Sequence, residues 1–136
     1  MRRLYLALVC TQAMHSAEEI AFGFNHRTPE LGAWFKTIVP GFPIVSFSTT
    51  VFVLLNIAIV AIFAASVLLV YRGTKWAEAI MTIVAIGEFF NGAAHFTMAV
   101  IAGGYFPGIV SGVALLILSI LVLRSTLRPD MLTVKT

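Results

Sequence analysis

Charge is scarce in this chain. Asp, Glu, Lys and Arg make up 11% of its 136 residues, against 60% hydrophobic ones. A soluble domain carries about 25% charged residues, so an ordinary water-facing surface is excluded and lipid is the expected solvent. Cysteine is nearly absent. Cys10 stands alone, which excludes an internal disulfide and a cysteine-ligated metal site. A small packed residue of the first helix is the expected role for it. The net charge of +3 comes without a basic run interleaved with aromatics, so nucleic acid is not an expected partner. No internal repeat stands out, and the length suits a single domain without a further soluble one.

Long apolar runs stand where the charges are missing. The first covers about residues 4–24, some 20 residues and enough to cross the hydrocarbon core. Arg2 and Arg3 before it resemble the start of a signal peptide. The apolar run resumes after Glu18 and Glu19, a pair that suits a cleavage region poorly, so a retained signal-anchor-like helix is expected. Further spans are read at about 50–70, 77–101 and 109–123. The second is rich in β-branched residues, but its unbroken apolar length without period-2 alternation argues for a helix. Pro29, Pro40, Pro43, Trp34 and Phe35 mark the first connection as a short interfacial helix with a bent, partly re-entrant continuation. The expected fold is all-α: a transmembrane four-helix bundle in one integral membrane domain (1–136), with an irregular or short-helical first extracytoplasmic connection.

Orientation follows from the basic residues. Arg2, Arg3, Arg72, Lys75, Arg124, Arg128 and Lys135 fall on one side, and Arg27 and Lys36 on the other. The positive-inside rule makes this a multi-pass protein of the cell membrane with both termini in the cytoplasm.

Ionisable residues inside such spans are costly, about 2.5–3.5 kcal/mol each on insertion scales, so those present call for a reason. His15 and Glu19 share one helix face and Glu18 borders it, with Gln12 a turn away. On the third span, Glu88, Asn91 and His95 form a second polar stripe. Counting residues from the outer helix ends puts Glu18, Glu19, Asn56 and His95 in one layer, with His15 and Asn91 slightly deeper. Adjacent Glu18 and Glu19 cannot make the same contacts; Glu19 is assigned to His15 and Glu18 to a neighbouring helix.

Histidine beside carboxylate is the chemistry of proton transfer. His15, Glu18, Glu19, Glu88 and His95 are therefore the candidate catalytic residues, and Gln12, Asn56, Asn91 and Tyr105 the candidate substrate-binding ones. No cofactor is required by the sequence. A divalent metal on His15, Glu19 and His95 is the main alternative, although no complete HExxH stands here and the spacing defines no metal geometry.

These residues resemble the HXXEE-domain family of small integral membrane proteins of uncharacterised function. Its eponymous motif is matched by His15, Glu18 and Glu19, its further histidine by His95, and its YxPG motif by Tyr105, Phe106, Pro107 and Gly108. All three features occur in order, from the first helix to the start of the fourth span. The resemblance strengthens the choice of site residues and supplies no reaction. The turn at 105–108 is expected to lid an opening between the first and third spans, with Tyr105 donating a hydrogen bond.

The functional expectation is an intramembrane enzyme using histidine and carboxylate acid–base chemistry on a lipophilic small molecule from the bilayer, by isomerisation or cyclisation. A small transporter or proton-coupled carrier, or a structural membrane assembly module, is the alternative. Gly87, Gly92, Ala93 and Ala94 would allow close packing within one chain or in a homo-oligomer.

Overall fold

A computed structural model of the chain describes residues 1–127. Arg128 and Lys135, which count toward the expected orientation, lie outside the described residues. Among the described residues there are five α-helices and no strand. The first, α1 (Arg2–Ala21), stops three residues short of the expected end. Gly23 adopts φ 69°, a left-handed conformation that glycine takes without strain, and turns the chain into a single 3-10 turn at Phe24–His26. The short helix of the first connection is α2 (Thr28–Ile38). Pro29 sits in its first turn, where the missing N–H is no loss, with Glu30 at the positive end of the dipole and Lys36 at the negative end. Residues 39–48 then carry no helix.

Ser48 starts α3 (Thr49–Tyr71), its Oγ accepting from the Val51 N–H at 3.4 Å. Two more helices follow, α4 (Ala77–Ala102) and α5 (Ile109–Thr126). Helices α3, α4 and α5 are long and apolar enough to cross a membrane. With 20 residues α1 has the length but is diluted by Gln12, His15, Glu18 and Glu19.

Contacts run in a ring. The most extensive join α4 to α5, α1 packs on both α5 and α3, and α3 touches α4. The α4–α5 pair meets backbone to backbone at Gly92, where an added Cβ would sit 2.5 Å from the Gly112 carbonyl oxygen. Two apolar clusters fill the ring. Tyr5, Leu8, Val70, Met81, Leu115 and Val122 pack at the end holding the N-terminus, where the Tyr5 hydroxyl meets Ser66 Oγ at 2.5 Å. Phe24, Phe52, Met98 and Phe106 pack at the other end.

Between these clusters lies a band of buried polar side chains from four helices: Gln12, His15, Ser16 and Glu19, Asn56, Glu88 and His95, and Ser111. The outward faces are apolar, with Leu54, Ile62, Phe90 and Ile117 among the exposed side chains. Cys10 corrects the sequence reading, being exposed rather than packed. The buried stripe of α1 runs through Leu8, Val9, Gln12, His15, Ser16 and Glu19, and position 10 falls off it.

Candidate functional site

One turn of α1 separates His15 from Glu19, so both point into the ring. Glu18, rotated by about 100°, reaches α5 instead. The Glu18 carboxylate accepts the Ser111 N–H at 2.9 Å, the Val110 N–H at 3.2 Å and the Tyr105 hydroxyl at 3.0 Å. It also accepts the Ser111 hydroxyl. Glu18 thus caps the N-terminus of α5, where unpaired N–H groups and the helix dipole favour an anion. Four donors match the acceptor sites of an ionised carboxylate.

These bonds fix the tautomer of His15. Its Nδ1 lies 2.9 Å from Ser111 Oγ. The single hydroxyl hydrogen of Ser111 is directed at Glu18, so the serine oxygen accepts from His15. Nδ1 therefore bears a hydrogen, and in the neutral ring Nε2 is left as a lone pair. His95 reaches the same state by another route. Its Nδ1 lies 2.7 Å from the Pro107 carbonyl oxygen, which can only accept.

Both free Nε2 atoms converge on Glu19. Oε1 of that carboxylate is 3.0 Å from His95 Nε2 and 3.4 Å from His15 Nε2. The three atoms lie within 4.8 Å of one another. His15 is 0% exposed, and its Nε2 has no hydrogen-bond partner. The two imidazoles stand at 88° with centroids 4.6 Å apart. Phe24 walls His95 at 4.7 Å and Phe106 at 6.0 Å.

The connection between α4 and α5 closes the site from above. Gly108 has φ 89°, and a Cβ there would stand 2.6 Å from His95 Nδ1 and 2.8 Å from His15 Cε1. Both the backbone angle and the space require glycine. Tyr105 lies on the exposed side of this turn. Burial, followed by its hydrogen bond to Glu18 and the charge there, pushes its hydroxyl up to about 12, so it stays a donor. Beside it, a groove of about 470 Å³ runs between α1 and α5, lined by Met14, Phe22, Val110 and Ala114 together with Glu18 and Tyr105.

The structure brings together His15, Glu18, Glu19, His95 and Tyr105 of the sequence-derived residues. The others stand aside. Glu88 is buried on α4 and accepts from Asn91 Nδ2 at 3.3 Å, without a hydrogen bond to the histidines. Asn56 turns back to the Phe52 carbonyl of its own helix at 3.2 Å, and Gln12 bonds Ser16 at 3.3 Å. Sequence reasoning missed Ser111, which joins His15 to Glu18, and the Pro107 carbonyl. A serine one residue before Gly112, at the head of an apolar span and just past the 105–108 turn, was the available signal.

No curated protein and no solved structure matches the chain. The profile for proteins of unknown function with an HXXEE motif matches residues 6–123, and the chain belongs to that family.

Proposed function

We propose that the chain is one integral membrane domain of four spanning helices, α1 with α3, α4 and α5, with both termini cytoplasmic. In this reading α1 crosses the bilayer because its polar stripe is turned into the ring and away from lipid. We further propose that it is an intramembrane enzyme acting by proton transfer on a lipophilic molecule. The supporting observation is the α1–α5 groove: an apolar trough on the outward face whose polar lining, with Thr11 and Ser111, includes the hydrogen-bonded pair Glu18 and Tyr105. A molecule dissolved in the bilayer reaches it laterally.

The roles follow from the geometry. When the Tyr105 hydroxyl turns from Glu18 to the substrate it frees a lone pair on Glu18 Oε1, and that carboxylate takes a proton from a substrate carbon and returns it to another, an isomerisation that needs no second reactant. Tyr105, held protonated, donates to the charge that develops between the two transfers. Ser111 and His15 hold Glu18 from behind. The test is an untargeted profile of lipophilic compounds from a strain lacking the gene, complemented with wild type, Tyr105→Phe or Glu18→Gln at matched abundance. The expected result is a compound that changes retention at constant mass with wild type and not with the variants. Profiles that are the same with the wild type and with an empty vector would refute the reading.

A further inference from the structure

We infer that the buried atoms behind the groove, His15 Nε2, His95 Nε2 and Glu19 Oε1, are the ligands of a divalent transition-metal ion, zinc foremost. The inference extends the proposed site inward and does not need the groove chemistry to be correct. It rests on the two tautomers. Each Nδ1 is committed as a donor, to Ser111 and to the Pro107 carbonyl. Each Nε2 therefore presents a lone pair to the same carboxylate oxygen. Three electron-rich atoms facing one another in a buried site repel unless something positive lies between them.

Protons fill this role poorly. One proton on His95 Nε2 serves Glu19 at 3.0 Å but leaves the wholly buried His15 Nε2 without a partner. A proton on each ring puts two imidazolium ions 4.6 Å apart around a single carboxylate. One divalent ion serves all three atoms. Zinc bonds of about 2.0–2.1 Å at a tetrahedral angle separate neighbouring ligand atoms by about 3.3 Å. The separations of 3.0 and 3.4 Å at Glu19 Oε1 fit that spacing, and with all three ligand atoms within 4.8 Å of one another the two imidazoles close on the ion by a side-chain shift. The outer contacts fit as well, since metal-bound histidines donate their other N–H to a carbonyl or to a hydrogen-bonded carboxylate system. Here Pro107 supplies the first, and Ser111 with Glu18 the second. Two imidazoles and one carboxylate suit zinc and leave a fourth position open.

The test uses the full-length protein, purified in detergent through a tag without histidine. Elemental analysis is expected to find about one zinc per chain. After chelation, added cobalt(II) is expected to bind stoichiometrically and develop the visible ligand-field absorption of a tetrahedral site. His95→Ala should abolish both signals. Ser111→Ala, which keeps every ligand, should weaken cobalt binding by about 10–100-fold. Wild-type protein that carries no stoichiometric metal and gives no cobalt spectrum overturns the inference, whatever the variants do. Wild-type protein without metal, in a strain whose lipid phenotype it still complements, would retain the groove reading alone. Bound metal with no lipid phenotype would retain the metal site alone.

Discussion

Ser111→Ala tests the arrangement on which the His15 tautomer depends. The substitution removes one oxygen that accepts from His15 Nδ1 and donates to Glu18. Glu18 keeps three donors, whereas the His15 N–H is left in a ring with no exposure and no acceptor. Interhelical hydrogen bonds in membrane proteins average about 0.6 kcal/mol, so the loss of two sets a floor of about 1.2 kcal/mol. A stranded buried donor raises this toward about 3 kcal/mol. Ser119→Ala is the control: Ser119 is buried still more completely, but among the described residues its hydroxyl bonds only the Leu116 carbonyl within its own helix, at 2.9 Å. Reversible unfolding in mixed micelles should place Ser111→Ala about 1–3 kcal/mol below wild type and well below Ser119→Ala. Nitrogen-15 spectra of labelled histidine should show one ring leaving the Nδ1–H tautomer. Equal stability of the two serine variants, with unchanged histidine spectra, would refute the reasoning.

Other substitutions probe the packing around the site. Gly92→Ala places a Cβ 2.5 Å from the Gly112 carbonyl oxygen and 3.0 Å from the Leu116 nitrogen, so overpacking should cost about 1–3 kcal/mol in the same unfolding assay. Gly87→Ala, with nothing within 4 Å of the added carbon, should be neutral or gain up to about 1 kcal/mol from helix propensity. Gly108→Ala should lose about 1–2 kcal/mol to backbone strain alone and more through the displaced imidazoles, read as a lower melting temperature. Tyr105 gives a pH dependence. Its folded value of about 12 lies above the ordinary 10.0, so the folded protein holds this proton more tightly than the unfolded chain. The contribution is whole below about 10 and is lost as pH climbs through 12. Tyr105→Phe should remove that alkaline component from the stability profile measured in detergent.

The helices were legible because they follow from apolar length, and three of the four expected spans match α3, α4 and α5 to within a few residues. Their close matching reflects boundaries written in Ser48, Gly103 and Gly108. The first was overextended because residues 20–24 stay apolar, whereas the backbone obeys Gly23. At the site, helical periodicity put His15 and Glu19 on one face, and residue counting brought His95 to their depth. It could not choose between Glu88 and Pro107 as the partner of His95, because that depends on how the 105–108 turn folds over the ring. Asn56 has the right depth and is buried, but its amide bonds the Phe52 carbonyl of its own helix, for a side chain that can bond its own preceding turn need not cross to another helix. Ser111 carries no periodic signal, being one hydroxyl in an apolar helix, and only its place just past the 105–108 turn marks it.

The motif carries two adjacent glutamates for a geometric reason. On one helix, neighbours diverge by about 100°, so a pair of carboxylates serves two different clients. Glu18 meets four donors at the start of α5 and spends its charge holding that helix and the Tyr105 turn against α1. Glu19 meets two imidazole nitrogens and no backbone donor. His15 links the two, touching Glu18 through Ser111 at one nitrogen and Glu19 at the other. Spacing alone makes this connection: residue 15 must lie one turn below 19 to share its face, and residue 18 must precede 19 to reach the neighbouring helix. Exchanging the order to place a single glutamate at either position would keep one contact and lose the other. The HxxEE string therefore ties a buried histidine pair to an adjoining helix terminus within little more than one helical turn.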